Sequence, residues 1–295
     1  MSYINIDRKI FIITPRGGLC NQLITITNGI IYGHYFNRDI YFNGFQIDYK
    51  NNEYIDLTSI LNLNKLNETI NNLKLSTNIL LDLNNNEHYK IENNDLSIKD
   101  LYKLIIEKND IHILHIGNLI NVNLPEDGYL NIINTINNSF EFSDDYIKKA
   151  NLIKKSLNLS KYACVHLRLE DDALNYYSKH LNINIDDFNN ITKLKYVKEF
   201  NDLTQFYENI YVCSSLIIQN NINNDFYKEI QNKYRFIDKN NFINKDDINK
   251  YRELYAIIDF IIAKDSDYFI GNQNSSFSYF INNFLKSSNK TSKLL

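Results

Sequence analysis

The sequence predicts an α/β protein with parallel sheets, divided into two domains. Its 295 residues, 44% apolar and 23% charged, suffice for two domains of ordinary size. Residues 9–42 carry the pattern of a strand, a glycine loop, a helix and a second strand, which is the opening unit of a parallel sheet. The same alternation of strands and helices returns in the second half of the chain.

In the first half, each element follows from a local pattern. An isoleucine-rich run at 9–14 predicts a buried strand. Apolar residues three and four apart then predict a helix over 21–37, and 40–42 is predicted as the second strand. Residues 51–109 are weakly patterned and predict helical segments with loops, whereas 111–116 is another predicted strand.

In the second half, a basic amphipathic helix over 143–157 is predicted to connect domains that comprise residues 1–145 and 146–295. The predicted strands that follow are 162–168, 210–214, 234–237 and 268–271, and the predicted helices among them include 247–264 and one that starts at the serines after 274. Two such α/β halves are expected to leave a cleft between them, where strand ends meet and ligands bind.

Composition is biased, which makes the rare residue types informative. The chain has 49 asparagines and 45 isoleucines but only 8 glycines, 2 prolines and no tryptophan, as expected from an AT-rich genome. A net charge of -3 and the absence of a dense Lys/Arg block argue against a nucleic-acid partner. Three widely spaced cysteines among apolar residues predict buried thiols in a reducing compartment.

Targeting signals are not evident in the sequence. No small-residue cleavage site follows the charged start, and the longest apolar stretch, 257–263, contains Asp259 and is far shorter than the roughly 20 residues of a membrane helix. The expectation is therefore a cytoplasmic protein without a membrane partner.

The first candidate motif is the glycine loop, Pro15-Arg16-Gly17-Gly18, which lies between a predicted strand and a predicted helix. Glycines allow positive φ and close backbone approach, and the following helix offers N–H groups to an anion or a sugar, with Asn21 close by. The alternative is an ordinary strand-to-helix turn in which Asn21 caps the helix. The motif lacks the spacing of a Walker loop or of a dinucleotide fingerprint.

The second motif follows the first strand of the second half. His166 and Arg168 would point to one face of that strand and Glu170 follows closely. A guanidinium at this place could hold a diphosphate and stabilise the charge of a leaving group, and Glu170 or Asp172 could act as a general base. The alternative is a structural ion pair between Arg168 and one of these acids.

The third motif, 265–280, combines a short strand that ends at Gly271 with a polar loop and serines where a helix would begin. Hydroxyls and helix N–H groups make a possible anion site there, although simple capping by Ser275 or Ser276 is an alternative. Asp265 and Asp267 imitate a metal-binding Asp-x-Asp, but they precede a strand instead of following one, so no metal is expected.

Taken together, four segments resemble the O-fucosyltransferase-like glycosyltransferases, and their pattern is closest to the plant-type branch. The segments are GGLCNQL, HLRLEDD, IYVCSS and DSDYFIGNQNSSFSYFI. This resemblance implies a GT-B fold, in which two Rossmann-like domains face each other across a cleft. It also implies a metal-independent, inverting transfer of a 6-deoxyhexose, usually fucose from GDP-fucose, without a cofactor, to a hydroxyl of a glycan or protein.

The resemblance also implies roles for individual residues. The N-terminal domain would serve the acceptor and the C-terminal domain the nucleotide sugar, with Arg168 as the ligand of the diphosphate and Asn21 near the sugar or acceptor. The implied contacts of substrate or nucleotide are Gly17, Gly18, His166, Ser275, Ser276, Phe277 and Ser278, while Asp267 and Asp259 would accept hydrogen bonds from guanine.

One departure concerns the glycine loop, because some members have an arginine where this chain has Gly18-Leu19. The donor could therefore be another nucleotide sugar, as in a rhamnosyltransferase that uses a UDP-sugar. A catalytically silent module that binds glycans or nucleotides is the remaining alternative.

Overall fold

Two compact units make up the chain, unit 1 before Asp144 and unit 2 from Asp144 to Leu295. The structure is a computed structural model and describes residues 8–48, 51–83, 89–90, 98–119, 129–215, 222–234, 236–242 and 251–295. In these residues no helix is long and apolar enough to cross a membrane.

Unit 1 is built on a five-stranded parallel sheet with the strand order β5-β2-β1-β7-β6. An antiparallel hairpin of β3 and β4 lies outside this sheet. The strands are β1 (Ile10–Ile13), β2 (Asp39–Phe42), β3 (Phe45–Asp48), β4 (Glu53–Ile55), β5 (Ile79–Leu80), β6 (Tyr89–Lys90) and β7 (Ile113–Gly117). The helices are α1 (Leu19–Tyr35), α2 (Leu63–Asn72), α3 (Ile98–Glu107) and α4 (Leu130–Asn138), with a short 3₁₀ helix at Leu57–Ser59.

Helix α1 packs closely on the sheet of unit 1 and directs its start toward the strand ends. All four residues of β1 are buried, as are the α1 residues Leu23, Ile26 and Ile30. A Cβ on Gly29 would lie only 2.5 Å from a side-chain carbon of Ile13, so this helix position needs glycine. The tight packing fixes the loop that joins β1 to α1 at the carboxyl edge of the sheet.

Unit 2 is built on a four-stranded parallel sheet with the order β11-β10-β8-β9. The strands are β8 (Tyr162–His166), β9 (Asn209–Cys213), β10 (Tyr268–Gly271) and β11 (Thr291–Leu294). The helices are α5 (Asp144–Ser156), α6 (Asp171–Leu181), α7 (Ile185–Leu203), α8 (Asn224–Tyr234), α9 (Arg252–Asp265) and α10 (Ser276–Ser287), with a 3₁₀ helix at Asn240–Phe242. Its core is formed by side chains of β8, β9, α7 and α8, among them Val165, Val212, Tyr196 and Tyr227.

Most predicted elements lie within a few residues of the observed ones, and one prediction is wrong. Of the described residues in the predicted strand 234–237, Tyr234 is the last residue of α8, and Ile237 makes an isolated parallel bridge to Tyr211 instead of belonging to a strand. Buried aromatic side chains at Tyr234 and Phe236 produce a pattern that imitates a strand. The strand predicted over 162–168 ends at His166, and part of the helix predicted over 247–264 lies outside the described residues.

All three cysteines are buried thiols that form no disulfide, as predicted. Cys164 and Cys213 lie on the neighbouring strands β8 and β9, with their sulfur atoms 3.4 Å apart. The reducing compartment that the sequence suggests stays a prediction.

Candidate functional site

The second motif lies at the carboxyl edge of the unit 2 sheet, where β8 ends at His166. Leu167 and Leu169 point into the core, which leaves Arg168 between them on the open side. The buried hydroxyl of Tyr196 donates to the carbonyl of His166 over 2.8 Å and accepts from the amide of Arg168 over 3.3 Å. The backbone on both sides of Leu167 is thereby held to helix α7.

Arg168 forms ion pairs with both acids that the sequence places after it. One terminal nitrogen, Nη1, donates to Glu170 Oε2 over 2.9 Å and to Asp172 Oδ1 over 3.3 Å, while Nη2 donates to Asp172 Oδ2 over 2.9 Å. The side chain of Glu170 is only 3% exposed, whereas that of Asp172 is 54% exposed. Glu170 is therefore a fixed partner of Arg168, and Asp172 is one that solvent or a ligand can replace.

The contacts of Glu170 argue against its role as a general base. Its second oxygen, Oε1, accepts from the amide and the hydroxyl of Ser215 over 3.2 and 2.8 Å. Burial would raise the pKa of Glu170, but Arg168 and these hydrogen bonds prevail and hold it at about 2. A carboxylate with so low a pKa is a weak base, so we assign Glu170 the anchoring of Arg168 instead.

A second guanidinium lies beside Asp172. Arg252, the first residue of α9, has Nη2 4.0 Å from Asp172 Oδ2. Arg168 also retains donors, since its five N–H groups form three hydrogen bonds with the acids. We call the set of Arg168, Glu170, Asp172 and Arg252 the arginine site. Asp172 occupies the place between two cations where an anion would bind.

The third motif meets the second one through His166 and Ser278. His166 Nδ1 and Ser278 Oγ are 2.7 Å apart, and that oxygen also accepts from the amide of Asn272 over 3.0 Å. Gly271 makes this approach possible, because a Cβ there would lie 2.4 Å from Ser278 Oγ. Burial lowers the pKa of His166 to about 3, so its imidazole is neutral near neutral pH.

The start of α10 lies next to this contact. Ser275 is the N-cap residue and makes no capping hydrogen bond with its side chain, so the simple capping alternative is not what the structure shows. The ring of Phe277 packs against His166 with 4.6 Å between ring centroids, and Ser276 opens the helix. The first N–H groups of a helix lack partners within it, which makes this end suitable for an anion.

The glycine loop of unit 1 is held by two buried glutamines. Gln22 donates through Nε2 to the carbonyls of Gly17 and Gln46, each over 2.9 Å, and accepts from the amide of Gln46 over 2.8 Å. Gln46 in turn accepts through Oε1 from the amide of Gly17 over 2.8 Å, where φ is +87°. Gly18 is the N-cap residue of α1, so Asn21 lies within the first turn and is not the cap.

Of the two aspartates assigned to guanine, only Asp267 lies apart from these contacts, since Lys239, the partner of Asp259, also donates to the carbonyl of Ser214 just after β9 over 3.4 Å. Asp267 precedes β10, accepts from the amide of Tyr162 over 3.0 Å and lies at the amino edge of the sheet. The strand separates it from Gly271 by about 13 Å, at about 3.3 Å per residue. Asp259 is buried in α9, accepts from Tyr211 over 2.8 Å and is paired with Lys239. Neither residue faces the arginine site with an unused carboxylate.

The two acids of the third motif that imitate a metal-binding Asp-x-Asp are bonded to protein groups. Asp265 is paired with Lys154, and Asp267 caps the start of β8 as described. Within the described part of the chain, no group of three or more His, Cys, Asp or Glu side chains could hold a metal ion.

Comparison with known proteins decides the family. The sequence model of the GDP-fucose protein O-fucosyltransferase family matches residues 41–286. The chain belongs to this family. A comparison with curated protein sequences finds no match.

Solved structures of fucosyltransferases share the fold of this family member. POFUT1 without ligand aligns with a TM-score of 0.65 and 12% identity over 98% of both chains. POFUT1 in complex with GDP-fucose aligns with a TM-score of 0.64 and 12% identity over 97% of this chain and 98% of that one. The α-1,6-fucosyltransferase NodZ with GDP aligns with a TM-score of 0.57 and 8% identity over 94% and 92%.

These findings confirm the O-fucosyltransferase resemblance, the α/β fold of GT-B type and the activity class of a glycosyltransferase. Sequence reasoning missed several residues of this family member that hold the motifs in place: Tyr196, Ser215, Arg252, Gln22 and Gln46. The sequence contains a signal that could have pointed to Arg252, namely the rarity of arginine, since the chain contains only six. The glutamines and Tyr196 had none, since their partners lie far along the chain.

Proposed function

We propose that this family member transfers fucose from GDP-fucose, with inversion and without a metal ion, to a hydroxyl group of a glycan or protein. The family and the fold support the class of reaction, and the POFUT1 complex with GDP-fucose supports the choice of donor. The arginine site is the observation that carries the proposal. The cytoplasmic location suggested by the sequence stays a prediction.

In this proposal the diphosphate of the donor replaces Asp172 on Arg168. Asp172 is half exposed and exchangeable, whereas the buried Glu170 continues to orient the guanidinium. As the bond between fucose C1 and the phosphate oxygen breaks, the electron pair goes to GDP, and two arginines offset the charge that develops there. No metal ion is needed for this stabilisation.

His166 and the start of α10 complete the donor site of the proposal. A neutral imidazole that accepts a hydrogen bond from the Ser278 hydroxyl at Nδ1 carries its own proton at Nε2 and acts there as a hydrogen-bond donor. The N–H groups of Ser276 and Phe277 and the ring of Phe277 offer contacts to phosphate and base.

On the acceptor side, we assign Asn21 and the glycine loop of unit 1 to binding of hydroxyl groups. Asn21 is half buried in the first turn of α1, beside Gly17 and Gly18. The acceptor hydroxyl loses its proton as its oxygen bonds to fucose C1. Asp172, once released from Arg168, is the better candidate base. The partners of Glu170 hold its pKa at about 2, so that this carboxylate has little tendency to take up a proton.

A thermal-shift titration with GDP, UDP, GDP-fucose and UDP-sugars tests this proposal. We expect GDP and GDP-fucose to stabilise the protein by about 2.7 kcal/mol at 100 times their Kd. Arg168→Lys should weaken this shift, and the matched control Arg8→Lys, an arginine of unit 1 that pairs with Asp39 at the start of β2, should not.

The same titration, together with an assay for transfer and hydrolysis, separates the alternatives. Stabilisation by UDP-sugars but not by GDP would contradict the donor and favour a rhamnosyltransferase type of reaction. Binding of GDP-fucose without transfer or slow hydrolysis would contradict the enzymatic proposal and favour a binding module.

A further inference from the structure

A cavity of about 450 Å³ lies in unit 2 at the amino-terminal edge of its sheet, where α7 ends. Lys161, directly before β8, and Tyr268, the first residue of β10, lie at its wall. His166 and Gly271 end the same two strands at the other edge. The cavity is therefore separate from the candidate donor site, and we call it the tyrosine cavity.

Aromatic rings form much of the tyrosine cavity. Tyr207 and Tyr268 lie side by side with ring centroids 6.2 Å apart and an angle of 38° between their planes. Both pack against the core of unit 2, which holds the rings in place. Phe206 adds a third ring at the wall and is 74% exposed, an unusual position for so large an apolar side chain.

Charged groups of the tyrosine cavity balance one another. Glu199 is buried and accepts from Lys293 over 2.6 Å, and this hydrogen bond raises the pKa of Lys293. Asp202 and Lys161 are exposed at the wall, and neither forms an ion pair with any residue that the structure describes. Two carboxylates and two ammonium groups give no net charge, so the cavity has no electrostatic preference for an anion or a cation.

We propose that the tyrosine cavity binds a neutral sugar, namely one or two rings of an oligosaccharide. The C–H faces of a pyranose ring fit against Tyr207, Tyr268 and Phe206, while its hydroxyls bond the carboxylates and ammonium groups around them. The volume lies in the range of small-molecule sites. This site goes beyond the proposed transfer reaction and does not depend on it.

Saturation-transfer NMR with lactose, cellobiose and N,N′-diacetylchitobiose tests the proposal, with GDP present to occupy the donor site. We expect at least one of these disaccharides to bind at millimolar concentration. Phe206→Ala and Tyr207→Ala should each weaken binding by about tenfold, the effect of losing one ring contact. Asp202→Asn should weaken it less. Tyr176→Ala removes another exposed ring of unit 2, one that lies outside the cavity, and should leave binding unchanged.

Three results would overturn the sugar site. The first is that no disaccharide binds at millimolar concentration, and the second is that binding persists unchanged in Phe206→Ala, whose exposed side chain is not needed for folding. The third is that N-acetylphenylalaninamide binds in the place of the sugars, since the cavity would then accept a peptide side chain. Because GDP is present throughout, none of these results bears on fucose transfer.

Discussion

The glycine loop of unit 1 and the arginine site of unit 2 occupy the same place in their sheets but are held by opposite chemistry. Each follows a buried strand, β1 or β8, at the carboxyl edge of a parallel sheet. Neutral amides of Gln22 and Gln46 fix the glycine loop. Charged groups fix the arginine site, with Arg168 between two carboxylates.

In the proposed reaction, this difference separates recognition of the acceptor from stabilisation of the leaving GDP. Amides that are fully hydrogen-bonded shape a loop without adding charge, which suits recognition of hydroxyl groups. Guanidinium groups present a fixed fork of donors to an anion and keep their charge at every physiological pH. The position of a loop after a strand thus predicts a binding site, and the residues that hold the loop indicate what it binds.

Arg168→Lys, in the arginine site, should have the largest effect on fucose transfer. Lysine keeps the positive charge but cannot form the forked contacts, so we expect kcat to fall by about 10²–10³. Steady-state assays of fucose transfer from GDP-fucose measure the effect, with Arg8→Lys as control, since Arg8 pairs with Asp39 at the start of β2 and lies outside both sites. Transfer at the normal rate by Arg168→Lys would contradict the role of the arginine site.

Arg168→Ala is a less suitable variant for this test. It would leave the buried Glu170 without its cation, which costs about 3–5 kcal/mol of unfolding free energy. A loss of activity in Arg168→Ala could then result from unfolding of the protein. If Arg168 were only an exposed ligand of the diphosphate, its removal would have a small effect on stability.

Gln22→Leu tests the neutral amides that hold the glycine loop. The change removes three hydrogen bonds and leaves buried backbone groups of Gln46 unpaired, at about 1–3 kcal/mol for each group. We expect lower stability in urea and a raised KM for the acceptor, while slow hydrolysis of GDP-fucose continues. The exposed Gln205→Leu is the matched control. Loss of hydrolysis together with transfer would contradict the separation of tasks.

The pKa of His166 predicts a smaller effect on stability at mildly acid pH. Its pKa of about 3 in the folded protein lies below the usual 6.5, so only the unfolded chain binds this proton between these values. The contribution of the neutral His166 to the free energy of unfolding is fully present above pH 6.5 and falls by about 1.4 kcal/mol per pH unit below it. Glu170 adds to this loss only below its usual value of 4.5.

Thermal unfolding between pH 7 and 5 measures the contribution of His166. We expect Tm of the wild type to fall by about 2–4 °C for each kcal/mol that is lost. His166→Asn should flatten this dependence, and the exposed His180→Asn should not. Equal slopes for the wild type and His166→Asn would show that His166 takes up a proton in the folded protein.

Sequence reasoning located the motifs because the rare residues of this chain gather where strands end. A local pattern does not show at which edge of the sheet a residue lies. The sequence therefore groups Asp267 with Ser278, although Asp267 precedes β10 and Ser278 follows it. Rarity also does not distinguish function from structure. Arg38 is fully buried and donates to backbone carbonyls such as that of Ile111, a structural role in unit 1.

Partners from distant parts of the chain were beyond prediction for a physical reason. Ser215 reaches Glu170 from the segment directly after β9, 45 residues away, and Gln46 reaches the glycine loop from the β3–β4 hairpin. Such contacts depend on strand order and register, which local patterns do not contain. Ion pairing of Arg168, in contrast, was one of two alternatives in the sequence. The structure shows the pairing, and because Asp172 is exposed, the proposed diphosphate can take its place on Arg168.

Removal of metal ions should have the smallest effect. In the charged half of the comparison, the acids near Arg168 are already bonded by guanidinium or serine groups, and the proposal assigns the charge of the leaving GDP to Arg168 and Arg252. We therefore expect fucose transfer to continue at the same rate in EDTA. Full dependence on Mg²⁺ or Mn²⁺, restored by the metal after chelation, would contradict this assignment and would require acids such as Asp172 to leave their arginines for the ion.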